Sequence, residues 1–234
     1  MTDLELKAIL SERLDAVRAR IAAATRRAGR EPDDVMLVAV TKTVSPRVAG
    51  LMPELGVFDL GESRPQELWR KAEALRDIPI RWHMIGHFQR NKVERSLPLV
   101  HLIHSVDSER LLEEIESRAR KLNLEPQLLL QINASQEDQK HGLEVDELEA
   151  LLPRLETMSV KIVGIMGMAA LSPDPELARP AFRALKGLIE DHRQKHHSLT
   201  RLSMGMSGDF EVAIEEGATL VRVGSTLFEG LEAE

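Results

Sequence analysis

The chain has 234 residues, of which 43% are hydrophobic and 29% charged, as is ordinary for a globular protein. Its formal net charge of -7 argues against general nucleic-acid binding, which needs a clustered basic surface. Cysteine is absent, which excludes disulfides and thiolate metal sites, and neither a signal peptide nor a run of 18 apolar residues is present. We therefore expect a cytoplasmic protein with no membrane or nucleic-acid partner.

The predicted elements begin with a long helix, because apolar side chains recur at helical spacing over residues 3–28 and Gly29 is a suitable stop. Short apolar runs then alternate with longer amphipathic stretches. The runs predict strands at 36–40, 57–60, 81–85, 102–106, 127–133, 161–166, 201–204 and 219–223. The stretches between them predict helices at 46–54, 65–76, 89–95, 108–122, 144–153, 174–193 and 208–216.

Eight strands that alternate with helices predict parallel βα units, and eight such units describe a small (β/α)8 barrel. An open doubly wound sheet is the alternative, but it usually has a glycine-rich turn after its first strand, and this sequence has none there. We therefore expect an α/β TIM-type barrel with an extra N-terminal helix. The expected single domain comprises residues 1–234, with the helix at 1–29 and the barrel at 35–230.

Functional residues of such barrels lie at the carboxyl ends of the strands. Lys42 follows the first strand directly in VAVTK, where its amine can either reach solvent or act as a nucleophile. Ser207 follows strand seven, and Gly224 and Ser225 follow strand eight, where this fold often binds phosphate. Each serine taken singly is better explained as a helix cap. Two such positions at adjacent strand ends favour a phosphate site.

A reactive lysine and a phosphate site on one barrel face suggest pyridoxal phosphate, with its aldehyde on Lys42 in a Schiff base. Arg222 lies two residues before Gly224, so it can point inward and donate to the pyridine nitrogen. Because arginine stays protonated, that nitrogen would remain unprotonated, and carbanion chemistry would be weak. The alternative interpretation is that Arg222 pairs with a carboxylate such as Glu62.

Several stretches resemble the pyridoxal-phosphate homeostasis proteins, single-domain relatives of the alanine-racemase N-terminal barrel. They include VAVTK, FDLGESRPQEL, WHMIGHFQRNKV, HSVDS, GIMGMA and LSMGMSGDFEVAIEEGATLVRVGSTLFEG. The resemblance implies a cytoplasmic protein that holds the cofactor as an internal aldimine and acts in vitamin B6 homeostasis with little or no catalysis. It places the Schiff-base lysine on Lys42, the phosphate site on Ser207, Gly224 and Ser225, and the ring-nitrogen contact on Arg222. Apoenzymes that depend on the cofactor are the expected partners.

The sequence departs from the family pattern near the expected ring site. The usual Gly-Glu-Asn-Tyr reads GESR, so Ser63 and Arg64 replace an amide and a tyrosine, and we expect Ser63 to contact the cofactor. The usual Ile-Gly-Pro-Leu-Gln reads IGHFQ, with His87 and Phe88. Lys140 matches a second family lysine that can accept the aldehyde, although a solvated loop lysine explains it equally well.

Two further residues are candidate cofactor contacts. His83 on strand three either contacts the cofactor or satisfies a hydrogen bond in the core. Met204 is the best candidate for a ring contact among the nearby methionines, although methionine commonly fills gaps in cores. The histidine spacing does not predict zinc, since His83 and His87 are four apart but the pair begins on a strand, and this spacing converges on one face only in a helix.

Two enzymatic functions are alternatives to a carrier. A racemase of the alanine-racemase type uses a lysine and a tyrosine from a partner's second domain, but this sequence contains no tyrosine and we expect no second domain. A Schiff-base aldolase on a sugar phosphate would use Lys42 and the same phosphate site, without a need for Arg222. A visible spectrum separates a yellow cofactor protein from a colourless aldolase. We expect a monomeric carrier.

Overall fold

The computed structural model describes residues 1–134 and 142–231 of the chain. Eight parallel strands close into a barrel, in which each strand pairs with the next in the sequence and the last pairs with the first. The strands are β1 (Met36–Val40), β2 (Asp59–Glu62), β3 (Arg81–Met84), β4 (Val100–Val106), β5 (Gln127–Gln131), β6 (Lys161–Met166), β7 (Arg201–Ser203) and β8 (Leu220–Val223). The predicted (β/α)8 barrel is therefore confirmed.

Helices surround the barrel and connect its strands. They are α1 (Asp3–Arg27), α2 (Pro46–Ala49), α3 (Pro65–Ala74), α4 (Val93–Ser96), α5 (Glu109–Leu122), α6 (Val145–Leu151), α7 (Arg179–Arg193), α8 (Phe210–Glu215) and α9 (Ser225–Phe228). Short 3-10 turns precede or extend several of them, so some predicted helices are found in two pieces. In the part of the chain that the structure describes, none of these helices has both the length and the apolar character needed to cross a membrane.

The extra helix α1 packs against α8 and α9. It begins with a capping box, in which the Thr2 hydroxyl accepts a hydrogen bond from the Glu5 amide and the Glu5 carboxylate accepts one from the Thr2 amide. Its buried face carries Leu6, Leu10, Leu14, Val17, Ile21 and Ala24. Arg13 donates to the carbonyl oxygens of Leu227 (3.0 Å) and Glu229 (2.8 Å). The helix thereby holds the end of α9 in place.

Alternate residues of each strand point into the barrel and out toward the helices. On β8, Leu220 belongs to the interior cluster, whereas Val221 and Val223 belong to the layer between strands and helices. The apolar part of the interior consists of Val38, Leu102, Leu129, Met166 and Leu220. The rest of the interior includes buried polar side chains, among them His83, His104 and Ser203, which hydrogen-bond to one another.

Strand β2 begins two residues later than the apolar pattern predicts, at Asp59 rather than at residue 57. The run VFDL predicts the strand from its apolar residues, but the strand itself carries two buried carboxylates, Asp59 and Glu62. Each carboxylate has partners: Arg81 and His83 for Asp59, and Lys71 and Thr41 for Glu62. A pattern of apolar residues could not predict this strand correctly, because Asp59 and Glu62 are buried as charged groups with partners.

A buried ion pair ties β2 to α3 beside the end of β1. Lys71 Nζ lies 2.7 Å from Glu62 Oε1 and donates to the Thr41 carbonyl oxygen at 2.6 Å, with both charged side chains at most 1% exposed. Burial raises the pKa of Glu62, and the charge of Lys71 opposes that rise. The carboxylate of Glu62 therefore pairs with Lys71. The alternative interpretation, in which Arg222 pairs with Glu62, was wrong, because Arg222 donates to Ser203 and to the Gly167 carbonyl oxygen. The pair also fixes the backbone immediately before Lys42.

We predict that Lys71→Met lowers the free energy of unfolding at neutral pH by roughly 3–5 kcal/mol, because Glu62 is left buried without its cation. Adding Glu62→Gln should recover part of that loss, since no unpaired charge then remains. Urea denaturation measures both variants. As a control, Arg76→Ala removes an exposed pair with Glu73 and should cost less than about 1 kcal/mol. An equally small cost for Lys71→Met would contradict a buried, ionised pair.

Candidate functional site

A cavity of about 710 Å³ opens among the loops that follow the carboxyl ends of the strands. We call it the carboxyl-face cavity. Six of the predicted site residues line it, namely Lys42, Ser63, Ser207, Arg222, Gly224 and Ser225. Its volume lies within the range of roughly 300–1,000 Å³ that is typical of small-molecule sites. The fold thus brings together residues from four strand ends.

Lys42 lies in the turn directly after β1, with an exposed side chain that lines the cavity. The amide of the preceding residue, Thr41, donates to the Gly61 carbonyl oxygen at 3.0 Å, and its carbonyl oxygen accepts from Lys71. Among the residues that the structure describes, no acceptor pairs with the Lys42 amine. The backbone at Lys42 is therefore anchored, while its amine is accessible from the cavity.

The loops after β7 and β8 meet at the hydroxyl of Ser207. This oxygen accepts hydrogen bonds from the amides of Gly224 (3.1 Å) and Thr226 (3.4 Å). We expected Ser207 to open a helix, but α8 begins at Phe210, and Asp209 precedes it. Ser207 instead joins two loops, and two amides converge there on one oxygen. Such converging amides suit an anion.

Gly224 lies where β8 closely approaches β1. A Cβ atom at this position would lie 3.2 Å from the Val40 Cβ and 3.3 Å from the Val40 carbonyl oxygen. Both contacts are tight, so a residue with a Cβ atom here would require Val40 to shift by a few tenths of an ångström. The small residue therefore keeps the phosphate-type loop close to the strand that carries Lys42.

Arg222 is buried in the barrel beneath the cavity and contributes to its lining. Its Nη1 donates to Ser203 Oγ (2.5 Å) and its Nη2 donates to the Gly167 carbonyl oxygen (3.2 Å). Burial lowers the pKa of Arg222 to about 10, and the charge of Asp209 opposes this shift. The side chain remains a cation at neutral pH. Because a guanidinium has five N–H donors, it keeps donors available for a ligand in the cavity.

His83 lies inside the barrel, is fully buried, and is not part of the cavity lining. Its Nδ1 lies 2.9 Å from His104 Nε2, and its Nε2 lies 3.0 Å from Asp59 Oδ1. His104 Nδ1 lies 2.8 Å from Ser203 Oγ, which also accepts from Arg222. A continuous line of hydrogen bonds, which we call the interior chain, therefore runs from Arg222 through Ser203, His104 and His83 to Asp59.

The far end of the interior chain reaches the opposite face of the barrel. Asp59 accepts two hydrogen bonds from Arg81, and both residues line a second cavity of about 430 Å³ beside the start of β1. Burial would raise the pKa of Asp59, but the hydrogen bonds from Arg81 and His83 outweigh it and hold that pKa well below its usual range. Burial lowers the pKa of His83, and lowers that of His104 further. The interior chain thus has the ionised carboxylate of Asp59 at one end and two neutral histidines in its middle.

Met204 also lies away from the carboxyl-face cavity. Ser203 points into the barrel, so its neighbour Met204 points outward and packs in the layer between strands and helices. The methionines that line the cavity are Met168 and Met206. The alternation of side chains along β7, counted from the inward Ser203, is the sequence signal that could have shown that Met204 points away from the cavity.

Of the residues that depart from the family pattern, Ser63 and His87 line the cavity, whereas Arg64 and Phe88 do not. His87 lines the cavity, and its Nδ1 lies 3.2 Å from Asp107 Oδ2. Phe88 is buried, whereas Arg64 is exposed directly before α3. Lys140 lies outside the described residues. The His87–Asp107 contact is a feature of the site that sequence reasoning missed, because the two residues are 20 positions apart.

Residues 13–232 match the family model of the alanine racemase N-terminal domain, the class that the barrel and its cavity define. A pyridoxal phosphate homeostasis protein of Aquifex aeolicus is 43% identical over 219 residues, which cover 93% of this chain and 96% of the relative. PipY of Synechococcus elongatus, solved with PLP bound, is 33% identical with a TM-score of 0.82, covering 94% of this chain and 99% of PipY. A protein of unknown function from Bifidobacterium adolescentis has a TM-score of 0.91 at 34% identity, covering 97% of this chain and 98% of that one. The chain therefore belongs to the family of pyridoxal phosphate homeostasis proteins.

The neutral histidines of the interior chain predict a loss of stability in acid. Their pKa values are lowered by folding, so below about pH 6.5 the unfolded chain binds more protons than the folded one. The free energy of unfolding should then fall as the pH drops, by up to about 1.4 kcal/mol per pH unit for each histidine. Urea denaturation at a series of pH values measures this slope. His104→Gln should flatten it, whereas the exposed control His197→Gln should not, and equal slopes for His104→Gln and the parent would contradict a neutral His104.

Proposed function

We propose that this chain binds pyridoxal 5'-phosphate through a Schiff base on Lys42. We further propose that it acts in intracellular homeostasis or delivery of this cofactor, with little or no catalysis. The observation that carries the proposal is that an accessible amine, a pair of phosphate-type loops and a buried guanidinium all line one cavity. The relative in Aquifex aeolicus, named a pyridoxal phosphate homeostasis protein, and PipY with PLP bound support it.

The cavity offers a group for each reactive part of the cofactor. Lys42 supplies an amine for the aldehyde. Ser207 and Ser225 supply hydroxyls for the phosphate, and the amide of Gly224 helps to hold the Ser207 hydroxyl in place. Arg222 supplies a donor for the ring nitrogen, and Ser63 lines the cavity on the side of β2. The fit is best at the phosphate, because Ser207 Oγ already occupies an oxygen position between two amides.

Weak catalysis follows from the kind of hydrogen bond that Arg222 makes. Pyridoxal phosphate acts as an electron sink in amino-acid chemistry, most strongly when its ring nitrogen is protonated. A guanidinium has no acceptor atom, so it can only donate to that nitrogen and favours its unprotonated form. The exposed amine of Lys42 and the open cavity suit exchange of the cofactor with other proteins.

The two enzymatic alternatives receive less support. A two-base racemase of the alanine-racemase type needs a tyrosine opposite its lysine, and the 234 residues contain none. A Schiff-base aldolase would use Lys42 and the phosphate loops, but it would leave Arg222 without a role. A carrier of pyridoxal phosphate would use Lys42, the phosphate loops and Arg222.

Covalent attachment predicts a specific adduct. Borohydride reduction of the protein loaded with cofactor, followed by peptide mapping, should place the modification on Lys42. Lys42→Arg keeps the positive charge but should abolish both the adduct and the visible absorbance, because a guanidinium does not form the Schiff base. Lys140→Ala is the matched control and should retain both. An adduct found mainly on Lys140 in the parent protein would contradict this assignment.

The phosphate site predicts a loss that depends on the ligand. Ser207→Ala removes a hydroxyl from a hydrogen bond to a charged group, a class worth roughly 1.5–3 kcal/mol. Binding of pyridoxal phosphate should weaken by about tenfold to a hundredfold. Binding of pyridoxal, which lacks the phosphate, should hardly change. Ser45→Ala, which removes the cap of α2, is the control for a merely structural serine. Equal losses for both ligands would show that Ser207 has only a structural role.

A further inference from the structure

Each link of the interior chain has a single direction, which its two ends determine. Arginine has no acceptor, so Arg222 donates to Ser203 Oγ. At the other end, the Asp59 carboxylate already accepts two hydrogen bonds from Arg81, and an ionised carboxylate only accepts. The proton between His83 and Asp59 therefore belongs to His83 Nε2.

The directions of the middle links follow from the count of protons. A neutral histidine carries one N–H, so a proton on His83 Nε2 leaves its Nδ1 as an acceptor. His104 must then donate from Nε2 to His83 Nδ1, which leaves His104 Nδ1 as an acceptor for the Ser203 hydroxyl. Both histidines are assigned the Nε2–H tautomer. All donors point from Arg222 toward Asp59.

The surroundings of the two histidines favour their neutral forms. Charged and titratable groups face them from several strands, including Asp59 on β2, Arg81 on β3, His101 on β4, and Arg201 and Arg222 beside them on β7 and β8. Asp59 is the carboxylate of this group and is also bound by Arg81. A protonated histidine would therefore face cations on three strands. The surroundings thus agree with one proton on each ring.

We propose that Asp59 is a positioning residue for the cofactor site, although it lies at the opposite end of the barrel. Through His83 and His104 it makes His104 Nδ1 an acceptor for the Ser203 hydroxyl proton, so that His104 does not compete with Arg222 as a donor to Ser203 Oγ. Arg222 is thereby held in place as a donor at the cavity. The identity of the ligand that contacts Arg222 rests on the proposed function. The direction of the hydrogen bonds in the interior chain does not depend on it.

Nitrogen-15 NMR of the histidine rings tests the direction in the protein without cofactor, because the two tautomers differ in their ring-nitrogen shifts. In the parent protein, His83 and His104 should both be neutral Nε2–H tautomers. Asp59→Asn replaces a carboxylate that can only accept by an amide that can also donate to His83 Nε2, and should give mixed or reversed tautomers at both rings. Arg81→Gln is the matched control: it leaves the Asp59 carboxylate in place and should retain the parent tautomers. An Nδ1–H tautomer in the parent, or parent tautomers in Asp59→Asn, would overturn the proposal.

A binding measurement tests the consequence at the cavity. Asp59→Asn should bind pyridoxal phosphate on the order of tenfold more weakly than the parent, and Arg81→Gln should bind it as the parent does. Ser203→Ala removes the side-chain partner of Arg222, so it should weaken binding similarly, while His83 and His104 both stay Nε2–H because Asp59 still directs them. This variant serves if Asp59→Asn does not fold. Changed tautomers with unchanged affinity would overturn the positioning role. A parent protein that binds no cofactor would instead refute the proposed function and leave the tautomer result standing.

Discussion

The burial of one positive charge, that of Arg222, is the constraint on which the barrel interior depends. A guanidinium removed from water must have its donors satisfied, or the fold loses several kcal/mol. The Gly167 carbonyl and Ser203 satisfy two of them, and the carboxylate of Asp209 offsets part of the charge. Ser203 in turn needs an acceptor for its own hydrogen, which His104 provides. One buried cation therefore accounts for a line of polar residues inside a largely apolar core.

Closure of the barrel brings the cavity groups to one place. Because β8 pairs with β1, Gly224 lies against Val40, and the loop that carries Ser225 lies beside the strand that precedes Lys42. Helix α1 packs outside this junction and holds the end of α9 through Arg13. The buried pair of Lys71 and Glu62 anchors the opposite side of Lys42. The amine and the phosphate-type loops are thus held by contacts from both sides of β1.

The fold and the carboxyl-face residues could be predicted from the sequence, because buried parallel strands appear as apolar runs and the residues after them share one face. Position along the chain was enough to place Lys42, Ser207 and Gly224 around one cavity. Position along the chain was not enough where the direction of a side chain, or a partner far away in the sequence, determines whether a residue lines the cavity. Met204 follows an inward serine and so points outward, and His83 is bonded to residues more than 20 positions away. Tertiary pairing, rather than local pattern, determines both.

We propose that pyridoxal phosphate binds with its ring nitrogen against Arg222. Nitrogen-15 NMR of the protein loaded with cofactor labelled at the ring nitrogen tests it most directly. A guanidinium donor predicts the shift of an unprotonated pyridine that accepts a hydrogen bond, and this shift should stay constant across the neutral pH range. The shift of a protonated pyridinium would contradict this contact, because Arg222 has no atom that could accept that proton.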